Sequence, residues 1–257
     1  LGGTMKVLKK IPPLFAVPTT AGTGSEATLA AVVTDYSTHH KYAIQDPVLL
    51  PRYAVLDPEL TVGLPPHVTS TTGMDALTHA VEAYTNKFAP KYTRVLAEKA
   101  TKLIFDNLEK AYADGKNLEA RSNMLLASFY AGRAFSRACV GNVHAIAHTL
   151  GGLYGTPHGL ANAVILPYVM EDFGPAVYKD LARLADIVGI SGSSEEEKAR
   201  AFILAIRQMN KDMNIIEQFD NIKDSDIPQM IEWALKEANP VYPVHVIWDE
   251  AQMAKTI

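Results

Sequence analysis

The sequence predicts a mostly α-helical protein of the α+β class, in which a short strand-bearing segment, residues 1–64, precedes an all-helical domain, residues 65–257. In the first segment, short runs rich in Val, Ile, Ala and Tyr are separated by turn residues. After Pro65 the pattern is typical of successive helices separated by Gly, Pro and capping residues. The chain has 257 residues, 48% of them hydrophobic, which is enough for a sizeable core.

The individual elements are predicted in chain order. The apolar run at 14–17, bounded by Pro13 and Pro18, is typical of a buried strand. Further strands are predicted at 30–35, 42–45 and 53–57. Helices are predicted at 71–86, 92–113, 119–136, 140–150, 158–172, 176–188, 194–210, 224–237 and from 248 onward.

Composition excludes several classes of function. The net charge is −4, and the Lys and Arg residues are dispersed, which argues against a nucleic-acid partner. Cys139 is the single cysteine, so no disulfide framework or CxxC motif exists, and a reducing, cytoplasmic setting is expected. The longest apolar stretch, 160–170, is interrupted by Asn162 and Pro167 and is too short to span a membrane.

Four histidines and one aspartate in the helical part predict a metal site. Asp75 and His79 are four residues apart in one predicted helix, as are His144 and His148 in another, and His158 follows a Thr-Pro turn. Residues at this spacing lie on one helix face. Each alone is typical of a structural role, because an aspartate suits a first helical turn and a lone histidine is usually a core residue. Together they favour a site.

The chemistry of these side chains narrows the choice of ion. Imidazoles with one carboxylate suit Fe²⁺, Zn²⁺, Co²⁺ or Ni²⁺ and are poor ligands for Ca²⁺ or Mg²⁺. His148, one turn beyond His144, could stand near the ion without binding it. A histidine so placed can relay protons, because its ordinary pKa is close to neutrality.

A third motif, PTTAGTGSEAT at 18–28, follows the first predicted strand. Its hydroxyls and backbone N–H groups could surround a phosphate or the ribose and carboxamide of a nucleotide. By itself the motif is more typical of an ordinary Gly/Ser/Thr turn. It matches neither G-x-G-x-x-G nor the P-loop.

The three motifs together resemble the iron-containing, or group III, metal-dependent alcohol dehydrogenase family. The matching stretches are 18–28, DPEL at 57–60 with LP at 64–65, GMDALTHAVEAY at 73–84, and GNVHAIAHTLGGLYGTPHGLANAVILP at 141–167. The resemblance implies NAD(P)-linked interconversion of primary alcohols or diols and aldehydes, with hydride passing between the alcohol carbon and the nicotinamide. It also implies a homo-oligomer, a dimer or larger.

The resemblance assigns a role to each candidate residue. It implies Asp75, His79, His144 and His158 as ligands of a divalent metal, Fe²⁺ first and Zn²⁺ second, and His148 as the catalytic residue near the nicotinamide. The implied contacts to NAD(P) are Thr19, Thr20, Gly22, Thr23, Thr28, Lys41 and Leu60.

One departure from the family concerns the start of the chain. Family members begin with a longer Rossmann-like half that carries a glycine-rich pyrophosphate loop, and residues 1–64 match only a remnant of it. We therefore expect these 257 residues to retain the metal ligands, to bind the dinucleotide weakly and to be inactive alone. The alternatives are a zinc-dependent glycerol dehydrogenase, a dehydroquinate-synthase-like lyase, or a non-catalytic metal-binding or dimerisation fragment.

Overall fold

The structure is a computed structural model that describes residues 3–7, 9–35 and 40–257; the side chains of residues 3–4, 34–35 and 40–43 lie outside the described part. The strands are β1 (Gly3–Thr4), β2 (Phe15–Ala16), β3 (Ala30–Asp35), β4 (His40–Gln45) and β5 (Tyr53–Ala54). One sheet has the order β1-β4-β3, with β1 parallel and β3 antiparallel to β4. β2 and β5 form a separate parallel pair.

Nine α-helices follow within the described residues. They are α1 (Pro66–Thr85), α2 (Lys91–Ala113), α3 (Leu118–Ala138), α4 (Asn142–Tyr154), α5 (His158–Phe173), α6 (Tyr178–Ile187), α7 (Glu195–Asp212), α8 (Ile227–Ala238) and α9 (Glu250–Thr256). The prediction of a strand-bearing segment followed by helices is confirmed. The strands at 14–17 and 53–57 are shorter than predicted, and β1 was not predicted.

Helix α1 is the central element of the helical part. Every residue from Gly73 to Thr85 is buried, and α1 packs against α2, α3 and α5. A helix that is buried on all sides forms where neighbours cover each face, and the small residues of α1 allow them to approach closely. The polar side chains of this helix must therefore find partners inside the protein.

Two local features fix the helices that surround α1. Beyond the end of α1, Asn86 Nδ2 lies 2.7–3.1 Å from the carbonyl oxygens of Ala138, Cys139 and Val140, which connect α3 to α4. At the start of α5, a Cβ on Gly159 would lie 2.4 Å from the Thr71 carbonyl oxygen. The absence of a side chain there lets the first turn of α5 lie directly against α1.

Candidate metal centre

One face of α1 carries three ionisable side chains. Asp75, His79 and Glu82 are spaced i, i+4 and i+7, so they point in nearly the same direction. All three residues are at least 95% buried. Burying them without partners would be costly, because an unpaired charge or polar group loses its hydration.

Helices α4 and α5 complete the group. His144 lies in the first turn of α4 and His158 is the first residue of α5. Asp75 Oδ1 lies 4.0 Å from His79 Nε2, 3.9 Å from His144 Nε2 and 3.6 Å from His158 Nε2. One ligand atom from each of the four residues lies within 4.8 Å of every other. The structure thus brings together the four predicted ligands.

The donor set fits a transition-metal ion. The three distances from Asp75 are too long for hydrogen bonds. A tetrahedral ion with bonds of about 2.1 Å holds its ligand atoms about 3.4 Å apart, so small movements of the four side chains would bring them to bonding distance.

The two buried histidines both have lowered pKa values. Burial lowers the pKa of His79, although the Asp75 carboxylate and the Gly22 carbonyl act in the opposite direction. Burial also lowers the pKa of His144 well below its usual value, and the neighbouring histidines lower it further. Both imidazoles are therefore neutral, as metal binding requires.

Asn162 contacts three of the four residues. Its Nδ2 lies 2.6 Å from Asp75 Oδ1, 3.2 Å from His144 Nε2 and 3.1 Å from His158 Nε2. An amide nitrogen carries two hydrogens and can only donate, so it can donate to Asp75 Oδ1, the nearest acceptor, and to one of the two Nε2 atoms at a time. Asn162 is fully buried and follows His158 by one helical turn on α5.

Glu82 holds His144 from the side opposite the ligand atom. Glu82 Oε2 lies 2.5 Å from His144 Nδ1, and Oε1 accepts a 2.8 Å hydrogen bond from the Val143 N–H. With an ion at Nε2 of His144, Nδ1 carries the proton and donates to Glu82. Burial raises the pKa of Glu82 to about 8, against the lowering effect of the N–H groups of Gly141, Val143 and His144.

His148 lies beside the four residues on the more open side. Its ring stacks on that of His158, with centroids 5.2 Å apart and planes 15° apart. Its Nδ1 lies 2.7 Å from Glu237 Oε1 on α8. The side chains of His148 and His158 are 34% and 39% exposed, whereas those of His79 and His144 are at most 6% exposed. A small molecule can therefore approach from this side.

The loop at 18–28 packs against the metal-bearing helix. A Cβ on Gly22 would lie 2.5 Å from the Thr72 carbonyl oxygen of α1. The Gly22 carbonyl also faces His79, whose pKa it raises. Gly24 has a φ of 59°, which an L side chain rarely adopts, and turns the chain into the short 3-10 turn Ser25–Ala27. The loop is thus tied to the centre through two backbone contacts.

The other predicted nucleotide contacts lie in different settings. Thr19 and Thr23 are exposed and Thr20 is half-buried, so their hydroxyls are accessible. Thr28 is 5% exposed, and its Oγ1 lies near the carbonyl oxygens of Ser25 and Ala30. Leu60 is 46% exposed, and the side chain of Lys41 lies outside the described part. Their roles as nucleotide contacts stay predictions.

Two family models match the chain and together cover most of it. The one described as "Fe-containing alcohol dehydrogenase family, C-terminal" matches residues 69–253, and the one described as "Iron-containing alcohol dehydrogenase" matches residues 2–58. The chain belongs to the iron-containing alcohol dehydrogenase family. The predicted resemblance is confirmed.

Individual members of this family are similar over nearly the whole chain. The 1,3-propanediol dehydrogenase of Klebsiella pneumoniae is 44% identical over 241 residues, which are 92% of this chain and 62% of that protein. A solved structure of 1,3-propanediol oxidoreductase superposes with a TM-score of 0.95 at 41% identity, covering 99% of this chain and 68% of the other. Sulfoacetaldehyde reductase from Bifidobacterium kashiwanohense, in complex with NAD⁺, gives a TM-score of 0.86 at 29% identity, covering 97% and 66%.

The chain covers only part of the length of its relatives. The chain spans about 62% of the length of its curated relative from Klebsiella pneumoniae. The family name implies a metal, and the four clustered residues of this chain could hold one. Among the described residues, no helix has the length and apolar character needed to cross a membrane.

Sequence reasoning missed three side chains of this iron-containing alcohol dehydrogenase centre. Glu82 and Asn162 each carry a local signal, because Glu82 is three residues after His79 in an apolar helix and Asn162 is four residues after His158. Either spacing places the side chain on the ligand-bearing face. Glu237 has no such signal, since it is 89 residues from His148 in the chain.

Proposed function

We propose that this protein is a metal-dependent alcohol dehydrogenase that interconverts primary alcohols or diols with aldehydes, using NAD(P). The observation that carries the proposal is the convergence of one carboxylate and three imidazoles within 4.8 Å, beside a fifth, accessible histidine. A closed structural site would need no such neighbour.

Each residue has a distinct task in this proposal. Asp75, His79, His144 and His158 would hold the ion, Fe²⁺ first and Zn²⁺ as the alternative. When bound, such an ion supplies Lewis-acid polarisation of the substrate oxygen. Glu82 keeps His144 in the tautomer whose Nε2 is free, and Asn162 orients Asp75 through its 2.6 Å hydrogen bond.

His148 is the proposed proton carrier. Its ring lies against His158, and its side chain is accessible enough to exchange a proton with solvent. In alcohol oxidation the hydroxyl proton would pass to His148, while the hydride passes to the nicotinamide ring of NAD(P)⁺. The buried wall formed by His79 and His144 keeps water away from the opposite side of the centre.

The proposed nucleotide position follows from the loop at 18–28. Thr19 and Thr23 offer accessible hydroxyls, and the two Gly22 contacts place this loop against α1. Hydroxyl and backbone N–H donors suit the ribose and carboxamide of a dinucleotide. The similar sulfoacetaldehyde reductase was solved with NAD⁺, which favours the same cofactor here.

A direct assay tests the proposal. The full-length protein is loaded anaerobically with Fe²⁺ or with Zn²⁺, and formation of reduced nicotinamide from NAD⁺ and from NADP⁺ is followed with ethanol, 1-propanol and 1,3-propanediol. We include 1,3-propanediol because a 44% identical relative is named for it. Turnover that is lost in Asp75→Asn and kept in Asp106→Asn, an exposed control on α2, supports the proposal. No reduction with either metal and either dinucleotide would refute it.

A further inference from the structure

Helix α8 supplies a carboxylate to the open side of the metal centre. Glu237 Oε1 lies 2.7 Å from His148 Nδ1, and the Tyr242 hydroxyl donates a 2.6 Å hydrogen bond to the same oxygen. The three side chains therefore form one connected row, in the order Tyr242, Glu237, His148. Neither the sequence motifs nor the ligand set includes Glu237 or Tyr242.

The two contacts of Glu237 differ in range: one is local in the chain, and the other joins two helices. Tyr242 is part-buried and lies five residues beyond Glu237, so its hydroxyl fixes the carboxylate locally. His148 comes from a different helix, α4, and α8 packs against that helix. A carboxylate oxygen accepts hydrogen bonds, so the proton between Glu237 and His148 belongs on Nδ1. In a neutral imidazole with its proton on Nδ1, the second ring nitrogen, Nε2, is the acceptor.

The ring orientation adds a second constraint. His148 stacks on His158 with 15° between the planes, and its ring meets that of His144 at 72°. Stacking limits tilting of the ring but does not select which nitrogen carries the proton. Only a partner at Nδ1 or Nε2 makes that selection, and Glu237 is such a partner.

We propose that Glu237 is the positioning residue for His148, holding it as the Nδ1–H tautomer so that Nε2 accepts the substrate's hydroxyl proton. The inference rests on the proposed function. In the oxidation direction, the O–H bond breaks and its proton goes to Nε2, while the C–H bond breaks and its hydride goes to NAD(P)⁺. The imidazolium then formed lies beside the Glu237 carboxylate, which stabilises it until the proton passes to solvent.

Kinetics of matched variants test this role. Glu237→Ala should lower kcat about 100-fold with KM changed less than threefold, because the defect is in proton transfer and not in substrate binding. Glu237→Gln keeps an acceptor oxygen and should recover about tenfold of that loss. Tyr242→Phe should cost about threefold. Glu232→Ala, on the same helix and exposed, should match the wild type.

A double variant separates positioning from general structural damage. If Glu237 acts through His148, then His148→Ala and the double variant His148→Ala, Glu237→Ala should have the same kcat. Multiplying losses would overturn the proposal, as would an unchanged kcat in Glu237→Ala. Metal content and the visible absorption of the Co²⁺-loaded protein show whether the ligand set is intact in each variant.

A readout that needs no turnover keeps this inference distinct from the proposed function. In the diamagnetic Zn²⁺-loaded protein, ¹⁵N NMR of labelled histidine should show His148 with Nδ1 protonated and Nε2 unprotonated. In Glu237→Ala the two tautomers should exchange. A wild-type His148 protonated at Nε2 would overturn the inference whatever the activity. Absence of turnover with the expected tautomer would count against the proposed function alone.

Discussion

Helix α4 carries two histidines one turn apart, each paired with a glutamate of another helix, and the two pairs differ sharply in environment. The His144–Glu82 pair is almost completely buried, with side chains 3% and 2% exposed. The His148–Glu237 pair is about one-third exposed, at 34% and 32%. In the proposed function the two pairs have different roles: the buried pair would orient a metal ligand, whereas the open pair would exchange protons with solvent.

Removal of the buried glutamate should change stability and metal affinity more than any other substitution at these pairs. Glu82→Ala leaves His144 Nδ1 without its partner inside the protein, so we expect a loss of about 3 kcal/mol in unfolding free energy and about 100-fold in metal affinity. Thermal denaturation and elemental analysis after dialysis measure both. Glu109→Ala, an exposed glutamate of α2, is the control and should change stability by less than about 0.5 kcal/mol. Equal effects of the two substitutions would contradict the assigned difference.

The next test separates a ligand from its neighbour among the two stacked histidines. We expect His158→Ala to abolish metal content and turnover together. His148→Ala should keep the metal and lose about 10²- to 10³-fold in kcat, because a proton carrier is removed while all four ligands remain. Metal stoichiometry and steady-state kinetics are measured on the same preparations. Equal metal loss in both variants would overturn the division of roles.

A further test concerns Asn162, whose amide contacts Asp75. Removing its amide in Asn162→Ala takes away the 2.6 Å hydrogen bond to Asp75, so we expect metal affinity to fall about 10- to 100-fold. Competition with a chelator of known affinity measures the change. Asn123→Ala, on α3, serves as a control that should bind metal as the wild type does. An unchanged affinity in Asn162→Ala would show that packing alone orients Asp75.

Metal affinity should also depend on pH, more weakly than on the substitutions above. Glu82 has a pKa of about 8 before an ion binds, so it holds a proton near neutral pH. An ion at Nε2 of His144 favours ionised Glu82, so uptake releases this proton. Metal affinity should therefore rise with pH, at most tenfold per unit, and level off above about pH 8.

Calorimetric titration in two buffers of different ionisation enthalpy counts the released proton. Glu82→Gln has no proton to release, so its affinity should lose this part of the pH dependence. An equal release from both proteins would assign the proton to another group.

Much of the fold follows from local sequence, and the departures have a physical cause. The buried helix α1 was predicted at 71–86 from the helical pattern that follows Pro65, and it begins five residues earlier, at Pro66. β2 and β5 pair over two residues each, although longer apolar runs suggested longer strands. Strand length depends on which partner is in register, and single runs of residues do not carry that information.

The candidate metal centre was also predicted only in part, because some of its contacts come from distant parts of the chain. Its four clustered residues were predicted because each lies in a short motif, but their partners came from structure. Glu82 and Asn162 lie at helical spacings from ligands and were recoverable from sequence. Glu237 became visible only when α8 was placed against α4, since helix packing is set by long-range contacts. The predicted boundary between a strand-bearing segment, residues 1–64, and a helical domain, residues 65–257, stays a prediction.

The shared face of α1 limits how this chain can change in length. Asp75, His79 and Glu82 depend on a spacing of four and then three residues. Inserting or deleting one residue between them rotates the later side chains by about 100°, which separates them from the others. The connection between α6 and α7 is largely exposed and contributes no side chain to the centre. Length changes are therefore tolerable there, while α1 admits substitutions but neither insertions nor deletions.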